Sequence, residues 1–130
     1  MDVITRENML AAMHGEAFAY ARYSLFAKAA RENGDSHLAG LFDGLAEVEL
    51  HEHFAELAEL AGIVGSDADN LKAAIQDEDH EVEVTYPYYS DQARTVRETA
   101  VAERFAEIAG DEREHMRALE TALEGIGVPA

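Results

Sequence analysis

An apolar stripe interrupted by charge constrains this chain more than any other feature in it. Val101, Phe105, Ile108, Glu112, His115, Leu119 and Leu123 follow one another at steps of three or four, the spacing that holds side chains on one face of an α-helix. A carboxylate and an imidazole therefore stand where a core would place Leu or Ile. An ionised carboxylate buried without a partner costs several kcal/mol, so the pattern asks for a cation opposite it. Glu-x-x-His directed into a helix bundle is how dinuclear carboxylate sites present their ligands. The competing reading, a surface Glu and His on a solvated face, is weighed by what the other helices carry.

Three more such faces precede it. The first helix is expected over 5–33 with Gly34 just past its end. Its inward stripe of Met9, Met13, Glu16, Tyr20, Tyr23 and Ala27 holds one acid, Glu16. Tyr23, two turns from Glu16, is either a core aromatic or a hydroxyl in reach of a neighbouring carboxylate. The second helix, 36–62, is capped by Asp35 or Ser36 and aligns Leu38, Leu41, Phe42, Leu45 and Glu49. Past Glu49 a regular helix would continue that face through Glu52, Glu56 and Glu59. The apolar residues are instead Leu57 and Leu60, with His53 on the same displaced stripe. One extra residue between Glu49 and His53, as in a single-turn π-bulge, reconciles the halves. We take Glu49 and His53 as this helix's carboxylate–histidine pair; a regular helix would use Glu49 with Glu52. His51 falls off the face.

The third helix, 67–94, opens at Ser66 with Asp69 three residues on. It sets Leu71, Ala74, Ile75, Glu78, Glu81 and Thr85 on one face. Pro87 should kink it, and Tyr86-Pro87-Tyr88-Tyr89 crowds aromatics just after the carboxylates. Thr95 and Glu98 spell a capping box for the fourth helix, 96–124, with Gly125 as its stop.

Composition narrows the class. A chain of 130 residues, 48% apolar with only 9 Gly and 2 Pro, suits one all-α domain over 1–130 with a real core. The absence of cysteine excludes disulfides, zinc knuckles, rubredoxin-type iron sites and thiol nucleophiles. Ten basic against 27 acidic residues give a formal charge of −17, which repels nucleic acid and anionic membranes and attracts cations. No apolar run approaches the roughly 20 residues of a membrane span, and no signal-like segment opens the chain. A cytoplasmic protein without membrane or nucleic-acid partners is expected.

The inward polar groups are thus Glu16, Glu49, His53 (or Glu52), Glu78, Glu81, Glu112 and His115, drawn from all four helices. So many buried carboxylates are not tolerated without cations, which points to a dinuclear metal site. Carboxylates with some imidazole and no thiolate suit iron or manganese.

The order of these motifs resembles the rubrerythrin family over about 5–124. Glu78-Asp79-His80-Glu81 leading into Tyr86-Pro87 is similar to that family's third helix, where Glu-x-x-Glu precedes Met-Tyr-Pro; Thr85 stands in place of Met. Glu16-Ala-Phe-Ala-Tyr-Ala-Arg22-Tyr23 looks like its first helix, and Glu112 with His115 matches its final Glu-x-x-His. The second helix departs, since the residue three after Glu49 is Glu52 rather than His. The resemblance implies a ferritin-like four-helix bundle with two iron ions, and Tyr23 and Tyr86 as hydrogen-bond donors to ligand carboxylates. It implies a peroxidase that reduces hydrogen peroxide to water, with dioxygen as the alternative oxidant. Without cysteine the chain is similar to the shorter erythrin-like members, which take electrons from an external donor such as a rubredoxin or its reductase. Two other functions fit the residues: a ferroxidase that handles iron as substrate, and a metal-free helical interaction module.

A ferritin-like bundle runs its second and third helices parallel, which needs a long crossover. The connection must climb on the order of 30 Å, and residues 63–67 extend to at most about 18 Å. A homodimer is expected, domain-swapped so that helices one and two of one chain complete three and four of the other.

Overall fold

The structure, a computed structural model, describes residues 1–127; the last three residues of the expected domain lie outside that range. The described residues form four helices and no strand. None of these helices is long and apolar enough to cross a membrane. The chain divides into two compact units, Met1–Val64 and a second that begins at Gly65. Each unit is a helical hairpin.

In the first hairpin, helix one is Val3–Glu32. It starts ahead of the expected Thr5 because the Asp2 carboxylate accepts the Ile4 N–H at 2.7 Å, satisfying a free N-terminal donor. Gly34, at φ +80°, reverses the chain, and Asp35 caps helix two through the Leu38 N–H at 2.9 Å. Helix two consists of Ser36–Val48 in α-form, a π-helical segment Glu49–Phe54, and Ala55–Ala61 in α-form again. Gly62 ends it in the left-handed region at φ +65°, where an L side chain would be strained. Arg31 grips Asp43 across the hairpin at 2.6 Å.

The two helices meet through small residues. Ala27, Ala30, Ala39 and Ala46 are buried, which lets the backbones approach. Beyond them, Met13 packs with Ala58 and Ala61, flanked by Met9, Phe54 and Leu57. This corrects two expectations. Leu60 is 69% exposed, so Ala58 and Ala61 carry the displaced stripe past Leu57. Leu38, Leu41 and Leu45, expected inward, are 38%, 55% and 39% exposed, because the alanine stripe beside them makes the hairpin contact.

In the second hairpin, Ser66 and Asp69 form the expected capping box. Helix three runs as Asp67–His80 in α-form, a second π-helical segment Glu81–Thr85, and Tyr86–Thr95 in α-form. The disturbance expected at Pro87 is therefore taken up just ahead of it. Proline has no N–H to give the carbonyl four residues back, and the wider π turn moves the hydrogen-bond register before that vacancy arises. Helix four is Thr99–Gly125.

The Thr95–Glu98 capping box does not form. Thr95 is still helical and donates its hydroxyl back to the Asp91 carbonyl at 3.0 Å. Arg97 makes the turn in the left-handed region at φ 65°, with the Glu98 N–H closing onto the Ala93 carbonyl at 2.9 Å. Helix four also continues through Gly125, and its left-handed turn falls on Gly127 at φ +79°. Val82, Ala93, Ala102 and Leu123 form the buried apolar set. Ser90, 3% exposed, ties the two helices together by donating to the Ala102 carbonyl at 2.8 Å.

Candidate metal centre

Each hairpin gathers two glutamates and one histidine. In the first these are Glu16, Glu49 and His53; in the second Glu78, Glu112 and His115, and in both the nearest ligand atoms lie within 4.8 Å of one another. Helix one brings Glu16 from near its midpoint. Helix two brings the other pair through its π turn. His53 Nδ1 sits 3.1 Å from Glu49 Oε2 and 3.5 Å from Glu16 Oε2. The added residue in that turn returns Phe54 and Leu57 to the apolar side, so a polar pair and an apolar stripe coexist on one helix. Helices three and four repeat the arrangement. His115 Nδ1 lies 2.7 Å from Glu112 Oε2 and 3.7 Å from Glu78 Oε1.

The glutamates are partly withdrawn from water while the histidines reach outward. Glu49 and Glu112 side chains are 16% and 18% exposed, against 50% and 61% for His53 and His115. Within each triad one carboxyl is driven up and its neighbour down. Glu16 is raised, chiefly by the hydrogen bond it shares with Glu49 and then by burial. Glu49 is lowered by that same bond and by His53. Glu78 is pushed up to about 7, first by burial and then by Glu112 beside it. Glu112 is held low by Glu78 and His115. Both histidines are raised, each by its bonded glutamate. In each triad one carboxyl is thus favoured in its protonated form and the imidazole in its charged form, both of which offset the repulsion between paired carboxylates that a divalent cation would otherwise relieve.

A metal ion fits these residues on a second ground. Glu78 Oε2 is buried with no hydrogen-bond partner among the described residues, a costly state for a carboxylate oxygen. A cation supplies that partner. Oxygen-rich sets with one imidazole suit iron or manganese.

The remaining candidates divide. Glu81 is half-buried and lies outside both triads; burial raises its carboxyl, and Glu112 and Asp77 raise it further. Glu52 is exposed and also outside, since the π turn gives its place to His53. His51 faces solvent and pairs with Glu47 at 3.3 Å. Tyr86 is half-buried, its hydroxyl raised first by burial and then by Glu81 and Glu112. Tyr23 stacks on Phe42, ring centroids 6.0 Å apart, with Phe26 at 6.4 Å. The π turn at Glu81–Thr85 went unread in the sequence; its only signal was a proline inside an otherwise unbroken helical pattern.

Known proteins carry similar sequences. The rubrerythrin family profile matches residues 7–123. A rubrerythrin of Porphyromonas gingivalis is 36% identical over 126 residues, covering 87% of this chain and 62% of that protein. A rubrerythrin of Nitratidesulfovibrio vulgaris is 32% identical over 124 residues, covering 85% of this chain and 64% of that protein. Nigerythrin from the same organism is 52% identical over a shorter 46 residues, 35% of this chain and 23% of its own length. The chain therefore spans less than two thirds of the length of these curated relatives.

Proposed function

This chain belongs to the rubrerythrin family, and on that premise we propose that it is a di-iron peroxidase reducing hydrogen peroxide to water with electrons from an external donor, working in the cytoplasm. The observation that carries the reading is the pair of Glu, Glu, His triads, each with its ligand atoms within 4.8 Å. Two ferrous ions, when bound, supply the two electrons that reduce the peroxide O–O bond.

The chain's own residues do the rest. Glu16, Glu49 and His53, with Glu78, Glu112 and His115, hold the metals. Glu81 completes the set as the inward acid not committed to a triad. As a carboxylate it binds; as a carboxylic acid, raised above its ordinary value, it carries a proton for the departing oxygen. His53 is the alternative proton carrier when its imidazole is not bound to metal. Tyr86, beside Glu81 and Glu112, and Tyr23 orient ligand carboxylates through their hydroxyls. These 130 residues contain no cysteine, and a rubredoxin or its reductase is the electron donor we assign.

The charge of −17 favours one rival, a ferroxidase that collects ferrous ions as substrate. Supplying peroxide, rubredoxin and its reductase separates the two. Sustained peroxide consumption at constant protein-bound iron supports the peroxidase, whereas turnover that stops unless fresh iron is added identifies the ferroxidase. Glu112→Ala and His115→Ala should each lose bound iron by elemental analysis and abolish turnover. Full iron content with normal turnover in both variants contradicts the site.

A further inference from the structure

We infer that the two triads load divalent metal in a fixed order, the second hairpin's triad first and the first hairpin's triad second. Glu78 is the residue that sets this order. The inference deepens the di-iron reading and rests on it for there being two ions to load.

The triads match in composition, each with two glutamates and one histidine. They differ in how those acids are compensated without metal. In the first, His53 Nδ1 sits between both carboxylates, 3.1 Å from Glu49 and 3.5 Å from Glu16. One imidazole serves the two acids. In the second, His115 Nδ1 is committed to Glu112 at 2.7 Å and stands well off Glu78 at 3.7 Å. The two acids there are served unequally, and Glu78 is the one left short.

Its second oxygen shows the consequence. Glu78 Oε2 is buried with no hydrogen-bond partner among the described residues, and the first triad has no such atom. Depth alone does not explain this, since the Glu16 and Glu78 side chains are 29% and 21% exposed. A carboxylate oxygen in that state has given up water's hydrogen bonds and received none in exchange. An ion that binds Glu78 ends that cost, and the relief adds to its affinity. At Glu16 the ion gains less, because His53 already faces both acids.

The acids one turn on widen the gap. Glu81, three residues after Glu78, is half-buried, whereas Glu52, three residues after Glu49, is exposed. Carboxylates held partly out of water repel one another with less screening, so they favour a divalent ion more than solvated ones do.

Anaerobic calorimetric titration of the metal-free full chain with Mn(II) alone reads the order without recourse to turnover. The wild type should take two ions per chain in two resolved steps. The first should be at least about tenfold tighter, in keeping with one unmet hydrogen bond at a carboxylate. Glu16→Gln should keep the tight step and lose the weak one, while Glu78→Gln should lose the tight step. Both changes preserve side-chain shape, and circular dichroism checks that each variant is helical. One equivalent of Mn(II) should raise the melting temperature of the wild type and of Glu16→Gln well above its effect on Glu78→Gln. Two ions of equal affinity overturn the order and leave the two-metal site standing, as does a tight step that survives Glu78→Gln but not Glu16→Gln. A chain that takes up neither Mn(II) nor Fe(II) overturns the metal reading itself, and the order with it.

Discussion

Glu78 shows most clearly what the metal-free site costs. Its carboxyl titrates near 7 in the fold against an ordinary 4.5, so between those values the folded chain holds a proton that the unfolded chain has released. Metal-free stability from this group is therefore present at low pH and declines as pH rises through about 7. His115 acts in the same direction, its stabilising charge being lost as pH climbs past its raised value. Glu112, held below its ordinary value, acts oppositely and withdraws stability only as pH falls below about 4.5. The metal-free protein should accordingly melt highest near about pH 4.5–5 and several degrees lower at about pH 8. Glu78→Gln should remove most of that alkaline loss while lowering iron content. A melting temperature that is flat across that range, or that rises, contradicts the assignment.

Tyr86 belongs to the same group of atoms. Tyr86→Phe deletes a hydroxyl in the field of Glu81 and Glu112 without removing a ligand. Iron content should stay near wild type while the rate of oxidation changes, since a hydrogen bond to a charged group is worth roughly 1.5–3 kcal/mol. Unchanged kinetics would leave Tyr86 a packing residue.

Among the helices, the π turn of the second decides which side chains face the site. The slip from Glu52, Glu56 and Glu59 to Leu57 could be read from the sequence because acidic and apolar stripes cannot both continue one face. Deleting His51 should close the turn into a regular Glu-x-x-His and keep iron bound. Glu52→Gln should also retain iron, and His53→Ala should not. Iron lost from Glu52→Gln but kept by His53→Ala would restore the regular-helix ligand pair. The second π turn was hidden for a local reason: Pro87 sits where either a kink or a wider turn accommodates the missing N–H, and residue spacing alone does not separate them. The failed Thr95–Glu98 cap has a similar cause. A left-handed Arg97 supplied the turn through backbone hydrogen bonds, and no side-chain cap was needed. On the same hairpin, Ser90→Ala should lower stability by about 1 kcal/mol, read by denaturant midpoint, because the Ala102 carbonyl loses its buried donor. No change in midpoint would mean that water replaces the hydroxyl there.

For the molecule as a whole, periodicity revealed that four helices carry acids inward, because burial of charge is rare enough to stand out against any apolar stripe. Glu16, Glu49, Glu78, Glu112 and His115 were legible for that reason. What periodicity does not give is which neighbour covers a stripe. Leu41 and Val101 lie on core-like faces and are nonetheless exposed in this chain. The chemistry of the assembled ligands is open to one decisive measurement, stopped-flow absorbance of the reduced, iron-loaded protein mixed in one experiment with hydrogen peroxide and in another with dioxygen. Peroxide should oxidise the protein rapidly and dioxygen slowly. Oxidation by dioxygen as fast as by peroxide, or no oxidation by peroxide at all, would contradict a peroxidase built on these residues.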